Sequence, residues 1–413
     1  MSEAKKTLKI AHVVRRFVFA EWGGTESAVW NTVRNQRRLG LNPEILATAA
    51  LAQVGEEFRD EVRIRRFSYF YPYFPMSRRT AAMLDKKGGN PFVPALFRAL
   101  RQERFDLVHI HCGGRMAVMS ALTAHRGNRP CVITLHGGHA AVPPEEIRQM
   151  MAPVRGKFHY GGVLDRLRKL RRDAVGAADA VICVSHEEAE RLAARYPGRP
   201  IVYLPNGVNC ADFQVKPPCS PRREWGIAAG RTLVLCISRI DYQKNQLILL
   251  NLLERDRQCH VLLVGPITAP GYCDRLRAEA ARRKVAERLT IIPGLPPDDP
   301  RLKAILHEAE LFVLPSLHEP FGIVALEAWA AGLPVLAARV GGLKDFIRSG
   351  HNGLLFAPDD PEELFQAYQK LTGDAALRAR LAANAADAVR AFGWDALSLR
   401  LVNLYRELID ARS

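Results

Sequence analysis

His318-Glu319-Pro320-Phe321-Gly322-Ile323-Val324-Ala325-Leu326-Glu327 is the stretch that indicates most clearly how this chain folds. The apolar run at 311–314 lies just before it and ends at Pro315, so the pattern predicts a strand, a loop and a helix that Gly322 opens. The first helical turn has unpaired N–H groups and a partial positive charge, which suit a phosphate. Glu319 and Glu327 can accept hydrogen bonds from hydroxyls, so the stretch predicts a site for a ligand with both groups, such as a nucleotide sugar.

A purely structural interpretation of the same stretch stays open. Glu319 could pair with the positive end of the helix, and Glu327 could be a solvated surface residue. The other strand-end motifs favour a ligand site, because they place more phosphate-binding and hydroxyl-binding groups at the ends of the predicted strands.

Length and composition bound the class of protein. The chain of 413 residues is long enough for two α/β domains. No apolar run approaches the ~18 residues of a membrane span, and the first six residues lead directly into a strand-like segment, so we expect no signal peptide. The eight cysteines form no C-x-x-C pair, and we expect free thiols in a cytoplasmic protein.

The positive charge is concentrated in the first half of the chain. Residues 1–206 carry 33 Lys and Arg against 19 Asp and Glu, whereas residues 207–413 carry 26 against 24. This asymmetry suggests that the first half meets an anionic partner, which could be a membrane surface, a phosphorylated acceptor or a nucleic acid. No nucleic-acid recognition motif is present, so we do not expect a nucleic-acid partner.

Short apolar runs alternate with helical periodicity along the whole chain, which predicts an α/β fold with parallel sheets. The predicted strands lie at 7–14, 43–48, 62–67, 107–112, 131–136, 180–185, 201–204, 232–238, 260–264, 289–292, 311–314, 334–338 and 354–356. The predicted helices of the first half lie at 25–39, 92–103, 115–126, 160–177 and 187–195. The segment 205–221 contains four prolines and no periodicity, so it reads as a linker between two doubly wound domains. Ligands in such sheets bind at the carboxyl ends of strands, and a cleft between the domains is the expected site.

Two motifs of the first domain follow predicted strands. Gly23 and Gly24 come before the first helix, where paired glycines let a backbone approach an anionic ligand. His136 ends a later strand and could contact a sugar or assist at the reacting centre, although a structural histidine is an equal alternative.

Cations follow the first strand of the second domain. Arg239 can hold two phosphate oxygens with its forked guanidinium, and Lys244 adds a point charge five residues later. A solvated basic turn, or a salt bridge from Arg239 to Asp241, is the structural alternative. Gly341-Gly342 forms another close-approach turn after the strand at 334–338.

Taken together, these motifs resemble the family 4 retaining glycosyltransferases, which have the GT-B fold of two Rossmann-like domains facing each other across a cleft. The resemblance runs in order through Gly23-Gly24, His136-Gly137, Pro205-Asn206-Gly207-Val208, Ser238-Arg239 with Lys244, Glu319-Pro320-Phe321-Gly322 with Glu327, and Gly341-Gly342. It implies an N-terminal domain at 1–207, joined by a last helix at about 395–413, and a nucleotide-sugar-binding domain at 208–394.

The resemblance also implies roles for individual residues. Arg239 and Lys244 would neutralise the donor diphosphate, Glu319 would bind hydroxyls of the donor sugar, and Glu327 would hold the ribose. The backbone at Phe321 and Gly322 would contact the sugar or phosphate. Gly23 and Gly24 would bring backbone near the phosphates, and His136 would lie near the anomeric carbon. The family usually needs no bound metal, so we expect neither a metal nor a separate cofactor.

The expected reaction is transfer of a hexosyl unit, with retention, from a UDP- or GDP-linked sugar to a glycan or lipid-linked acceptor. Synthesis of cell-surface polysaccharide or glycolipid is the expected setting. A sugar-nucleotide epimerase of the same fold is the alternative, although it needs acid and base groups on both faces of the sugar and few candidates are present beyond His136.

Several basic and aromatic segments of the first half suggest peripheral binding to the inner face of a membrane. They are the aromatic stretch 67–75, the pairs Arg78-Arg79 and Lys86-Lys87, the helix at 92–103 and the segment 163–172. Each basic residue near an anionic bilayer is worth ~1 kcal/mol, so five or six suffice for reversible association. Ordinary core packing and solvated arginines are the structural alternative.

Overall fold

The computed structural model describes residues 7–19, 23–137, 148, 151–162 and 173–412. The chain divides into two compact units. Unit 1 comprises Met1–Val18, Gly23–Pro205 and Asp395–Ser413, and unit 2 comprises Phe19–Trp22 and Asn206–Trp394. The predicted helix at 160–177 and the basic segment 163–172 lie largely outside the described residues.

An eight-stranded sheet forms the centre of unit 1, in the order β10-β9-β7-β6-β1-β2-β4-β3. Its strands are β1 (Lys9–Arg16), β2 (Asn42–Thr48), β3 (Gly55–Arg59), β4 (Val62–Phe67), β6 (Leu107–Ile110), β7 (Cys131–Leu135), β9 (Ala180–Cys183) and β10 (Ile201–Tyr203). All neighbours are parallel except β3 and β4. A separate antiparallel pair joins β5 (Tyr73–Phe74) to β8 (Phe158–His159).

Helices of unit 1 flank this sheet. They are α1 (Gly24–Arg38), α2 (Arg78–Lys87), α3 (Pro94–Gln102), α4 (Gly114–Arg126), α5 (Ala174–Ala177) and α6 (His186–Arg195). Ser185 begins α6 because its side chain accepts a hydrogen bond from the Glu188 N–H, which satisfies one of the unpaired donors of the first turn.

A six-stranded, wholly parallel sheet forms unit 2, in the order β13-β12-β11-β14-β15-β16. Its strands are β11 (Thr232–Ile237), β12 (Cys259–Val264), β13 (Leu289–Ile292), β14 (Leu311–Leu314), β15 (Val335–Ala338) and β16 (Leu354–Phe356). Every residue of β12, β14 and β15 is buried, as expected for strands covered on both faces.

The helices of the second half are α7 (Ala211–Gln214), α8 (Pro221–Glu224), α9 (Leu250–Arg255), α10 (Pro270–Arg282), α11 (Pro300–Leu306), α12 (Ile323–Ala330), α13 (Leu343–Phe346), α14 (Pro361–Gly373), α15 (Ala375–Ala388) and α16 (Trp394–Asp410). Asp360 caps α14 by accepting from the N–H groups of Glu362 and Glu363, with Pro361 at the first helical position. From Asp395 onward, α16 belongs to unit 1.

The α/β prediction is confirmed, and each predicted strand is present within about two residues. The short strands β3, β5 and β8 were not predicted. All five residues of β3 are exposed, so no buried apolar run marks it.

The sequence places an apolar stripe of Phe92, Leu96, Phe97 and Leu100 on the predicted helix at 92–103, one of the segments suggested for membrane binding, and this stripe packs inside unit 1. Phe92, Leu96 and Leu100 are at most 3% exposed, and Phe97 packs against the same core. This stripe is therefore not available to a membrane, and that part of the prediction is wrong. Within the described residues, no helix is long and apolar enough to cross a bilayer.

Candidate active site

The predicted motifs of unit 2 meet at the point where its strand order reverses. From β11 the chain passes to β12 and β13 on one side, and then returns to β14, β15 and β16 on the other side. The carboxyl ends of β11 and β14 therefore border the topological switch point, where open α/β sheets bind ligands. The loops after β11, β14 and β15 carry Arg239, Glu319 and Gly341 respectively.

A buried ion pair links the loop after β11 to the loop after β14. Lys244 Nζ lies 2.6 Å from Glu319 Oε2, and the two side chains are 11% and 10% exposed. Ser316 Oγ donates to the same oxygen at 3.2 Å. Both hydrogen bonds use Oε2, which leaves Oε1 as an acceptor for a ligand. The pair therefore holds a carboxylate oxygen and an ammonium group side by side, ready for a hydroxyl and a phosphate.

Arg239 is held by its own loop. Its Nη1 lies 3.1 Å from Asp241 Oδ2, and its Nη2 donates to Gln243 Oε1 at 2.9 Å. The side chain is still 40% exposed, so the guanidinium can meet a ligand while Asp241 fixes its direction. The structure thus contains the salt bridge that sequence reasoning left as an alternative, and this salt bridge orients the cation.

Gln243 connects the same two loops through its side chain and its backbone. Its Nε2 donates to the His318 carbonyl at 3.4 Å, and its own carbonyl accepts from the Leu317 N–H at 2.8 Å. Sequence reasoning did not select Gln243, because a single glutamine in a basic turn carries no pattern.

Glycines allow the loop after β15 to pack directly on the loop after β14. A Cβ atom at Gly341 would lie 2.0 Å from the Glu319 carbonyl oxygen, and one at Gly342 would lie 2.4 Å from that of Pro320. The Gly342 N–H donates to the Glu319 carbonyl at 3.1 Å. The predicted close-approach turn therefore approaches the loop that holds Glu319.

Gly322 begins helix α12 in a left-handed conformation, with φ of +92°, which a residue with a side chain rarely adopts. Phe321 turns its ring into the core of unit 2, where it is 2% exposed and packs against Phe346 and Phe392. The ring of Phe321 is therefore not available to a ligand, and the backbone contact that the resemblance implies stays a prediction.

Glu327 lies on α12, in the second turn, and is partly buried. Burial raises the pKa of its carboxyl to about 7, opposed in part by Lys303. No hydrogen-bond donor among the described residues reaches this carboxylate. Glu327 is therefore a partly buried acceptor without a hydrogen-bond donor among the described residues, and its contact with the ribose stays a prediction.

The glycine turn of unit 1 lies at the start of α1. Gly23 is its N-terminal cap and Gly24 its first residue, and a Cβ at Gly24 would meet no atom within 4 Å. Glu26 in the first turn is paired with Arg16 at 3.2 Å, so part of the helix end is already neutralised by a carboxylate.

His136 follows β7 and belongs to a buried chain of histidines. Its Nε2 lies 3.1 Å from His111 Nδ1, and His111 Nε2 lies 2.9 Å from His12 Nδ1. Burial lowers the pKa of His136 to about 4. Sequence reasoning selected only His136, since His12, His109 and His111 lie inside predicted strands, where a polar residue is hard to distinguish from a satisfied core histidine.

The chain matches known families along most of its length. Residues 22–212 match the model described as Glycosyltransferase Family 4, and residues 220–388 match that described as Glycosyl transferases group 1. The D-inositol 3-phosphate glycosyltransferase of Nocardiopsis dassonvillei is 31% identical over 95% of this chain and 91% of its own length. The enzyme of the same name from Acidothermus cellulolyticus is 30% identical over 78% of this chain and 72% of its own length.

Solved structures show the same fold. Sucrose-phosphate synthase from Thermosynechococcus elongatus superposes with a TM-score of 0.73 at 22% identity, over 98% of this chain and 100% of its own. Anabaena HepE in complex with UDP and glucose superposes with a TM-score of 0.72 at 20% identity, over 97% and 100%.

The two parallel-sheet units and the solved structures give the GT-B fold, and the family models and curated relatives make the chain a glycosyltransferase. The chain belongs to glycosyltransferase family 4, and the resemblance seen in its sequence is confirmed. The family models and the curated relatives do not point specifically to synthesis of cell-surface polysaccharide, and they give no support to the epimerase alternative.

Proposed function

We propose that this enzyme transfers a hexosyl unit, with retention of configuration, from a UDP- or GDP-linked sugar to an anionic acceptor. The observation that carries this proposal is the arrangement at the switch point of unit 2. There Arg239, the Lys244–Glu319 pair and the start of α12 combine cations, a hydroxyl acceptor and a helix N-terminus. That combination matches a ligand with a diphosphate and a sugar.

The charges are placed for departure of a nucleoside diphosphate. Negative charge develops on the β-phosphate oxygen as the glycosidic bond breaks, and Arg239, Lys244 and the α12 N-terminus would stabilise it. The leaving phosphate would then accept the proton of the acceptor hydroxyl on the same face of the sugar, which gives retention. Glu319 would hold donor-sugar hydroxyls and Glu327 the ribose. We expect turnover to need no added metal and to persist in EDTA.

The acceptor is proposed to carry a phosphate. The relatives are named D-inositol 3-phosphate glycosyltransferases, and the first half of this chain has a net positive charge of 14. A phosphorylated polyol and a lipid-linked glycan both fit that charge, so the assay includes both classes.

A surface of unit 1 suits an anionic bilayer, and we propose it as the membrane contact. Phe74 and Phe158 are opposite each other across the β5–β8 pair and are 69% and 65% exposed. The segments that flank these two residues in the sequence carry exposed basic side chains, namely Arg78, Arg79, Lys86, Arg148 and Arg155. Asp85 is the one acidic residue of segments 71–90, 148 and 151–162, and it is 8% exposed, with its carboxylate accepting from the hydroxyls of Tyr69 and Tyr71. This surface of apolar and basic side chains is the aromatic–basic patch.

A thermal-shift panel tests the donor, and transfer assays then test the acceptor. A ligand at 100 times its Kd adds ~2.7 kcal/mol of stability, which a melting curve resolves. Stabilisation by UDP or GDP, and more by one of their sugars, is expected and identifies the donor. No shift with any nucleotide would contradict the proposal. With the donor known, product formation with inositol phosphate or with a lipid-linked glycan separates the two acceptor classes.

A further inference from the structure

A continuous line of buried hydrogen bonds crosses the sheet of unit 1 at its own switch point, between β1 and β6. It begins at Gln36 on α1, passes through His12 on β1 and His111 after β6, and ends at His136 after β7. The first two side chains are fully buried and His111 is 6% exposed. These four side chains are the histidine chain.

The line of hydrogen bonds begins at the amide of Gln36. Its Nε2 donates to Tyr405 Oη at 3.1 Å, and in this orientation its Oε1 faces His12 and accepts. His12 therefore carries its proton on Nε2, at 2.8 Å from that oxygen, and its Nδ1 accepts.

The same argument gives the direction of the next two hydrogen bonds. Because His12 Nδ1 is an acceptor, His111 must donate from Nε2, and its Nδ1 accepts in turn. His136 then donates from Nε2 to His111 Nδ1. The remaining nitrogen, His136 Nδ1, carries a lone pair. It is buried and has no hydrogen-bond partner among the described residues.

Burial keeps the histidine rings neutral, as the histidine chain requires. Burial lowers the pKa of His12 to about 4 and that of His111 well below its usual value, and nearby histidines lower the latter further. An extra proton on any of the three rings would reverse the hydrogen bonds beyond it and place an N–H on His136 Nδ1, so the lone pair at that nitrogen requires neutral rings.

A branch extends from Gln36 to the C-terminal helix. Tyr405 on α16 accepts from Gln36 Nε2 and donates to His109 Nδ1, and His109 Nε2 then donates to Thr134 Oγ1 at 2.6 Å. Tyr405 is fully buried. A tyrosine hydroxyl can donate as well as accept, so Tyr405 fits either orientation of the Gln36 amide, and the direction of the hydrogen bonds is decided at the other end of the line, at His136 Nδ1.

The nitrogens of His12, His109 and His111 also lie close enough to hold a metal ion, within 4.8 Å of one another. Each of their six ring nitrogens already has a hydrogen-bond partner. A metal would have to replace several of these bonds, so the geometry fits a hydrogen-bonded chain better.

We propose that Gln36, His12 and His111 are positioning residues that fix His136 as the Nε2–H tautomer, so that its Nδ1 lone pair accepts a hydrogen bond from a hydroxyl of the donor sugar. The identity of the ligand in this proposal rests on the proposed function, whereas the tautomer of His136 is independent of it. An unpaired buried acceptor is tolerated more readily than an unpaired buried N–H in protein backbones, which favours the same direction.

Long-range 1H–15N spectra of the protein with 15N-labelled histidine test the tautomer directly. We expect His136 to show a protonated Nε2 and a lone-pair signal at Nδ1, with the same pattern for His111 and His12. A nucleotide sugar that stabilises the protein should shift the His136 Nδ1 signal, and the matching nucleoside diphosphate should not. A proton on His136 Nδ1, an imidazolium, stoichiometric zinc in the purified protein, or an Nδ1 signal unmoved by a bound nucleotide sugar would each overturn the proposal.

A variant at the far end of the chain tests the coupling. Gln36→Leu removes the acceptor for His12 and should give His136 a mixture of tautomers. We expect kcat/KM for the nucleotide sugar to fall about tenfold, with the Kd of the nucleoside diphosphate unchanged. The control His260→Phe removes a buried histidine of unit 2 whose one hydrogen-bond partner among the described residues is Thr290, and it should leave the His136 signals unchanged. Unaltered His136 signals in a folded Gln36→Leu protein would refute the coupling.

These readouts separate the two proposals. If no nucleotide sugar binds, the proposed function fails, and the tautomer of the free protein and of Gln36→Leu still decides whether the histidine chain acts as stated. If nucleotide sugars bind and react but His136 carries its proton on Nδ1, the proposed function stands and this inference is wrong.

Discussion

Lys244 and Glu319 lie 75 residues apart in the sequence and form a buried ion pair at 2.6 Å between Nζ and Oε2. Neither side chain is solvated enough to stand alone, because an uncompensated buried charge costs several kcal/mol. The pair therefore ties the loop after β11 to the loop after β14 before any ligand arrives. This preorganisation leads to the first prediction.

Removal of both members of the pair should destabilise unit 2 by less than the sum of the two single removals. We expect Lys244→Met and Glu319→Leu each to lower the free energy of unfolding by about 3–5 kcal/mol, since each leaves a buried charge. The double variant should lose at least about 1 kcal/mol less than the sum. Urea unfolding of the four proteins measures this coupling, and strict additivity would show that the pair does not act as a unit.

Arg239→Ala and Glu319→Ala should each lower turnover by at least about two orders of magnitude, because each removes a group aimed at the donor. Arg239→Ala should fold normally, since Asp241 still accepts from the Gln243 and Lys244 N–H groups and from Thr268. Steady-state kinetics on the purified variants measures the loss.

Arg255→Ala is the matched control for Arg239→Ala. Arg255 is also 40% exposed and also paired with a carboxylate, that of Glu362, in the same unit. It should retain near-normal turnover. Near-normal rates for both Arg239→Ala and Glu319→Ala would remove the proposed site.

Gly342→Ala should lower both stability and turnover. Its Cβ would meet the Pro320 carbonyl oxygen at 2.4 Å and push the loop that holds Glu319 away from β15. Overpacking of this kind costs about 1–3 kcal/mol. Gly373→Ala at the end of α14 is the control, because its Cβ would meet nothing within 4 Å. Thermal melts and turnover of the two variants should differ clearly, and equal behaviour would contradict the close approach.

Glu327 should make donor binding depend on pH. Its folded pKa of about 7 lies above the usual 4.5, so the folded protein favours the protonated form, and its contribution to stability is present below pH 4.5 and lost as pH rises through 7. Ribose hydroxyls donate to the ionised form, so binding favours ionisation. Affinity for the nucleotide sugar should therefore rise about tenfold between pH 6 and pH 8.

Calorimetric titration with the nucleotide sugar measures this pH dependence, because its diphosphate keeps a constant charge over that range. Glu327→Gln cannot ionise, so its affinity should be weaker at pH 8 and flat with pH. An unchanged slope in Glu327→Gln would assign the titration to another group.

The aromatic–basic patch should bind anionic vesicles at low salt and release them as salt rises. Replacing Phe74 and Phe158 together by serine should abolish co-sedimentation. Phe58→Ser is the control, since Phe58 is 68% exposed on β3 of the same unit, next to Glu56 and Glu57. Absence of wild-type binding at low salt would favour a soluble acceptor.

The sequence by itself determined the α/β class, the position of the predicted strands and the motifs at their ends. This was possible because buried strands such as Leu311–Leu314 are continuous apolar runs, and because Pro315 and Gly322 mark where strand and helix stop and start. The position of Glu319 before a helix is a local property, so a single stretch contains it.

Only the tertiary structure decided which groups pair. The partner of Glu319 is 75 residues away, and the histidine chain joins α1, β1 and the ends of β6 and β7, with Tyr405 from α16 beside it. Such contacts depend on strand order, since β1 and β6 are neighbours although about ninety residues separate them. The same reason applies to the apolar stripe of α3. Its periodicity is the same for a helix that faces the core and for one that faces a membrane, and only its packing in the core of unit 1 distinguishes the two.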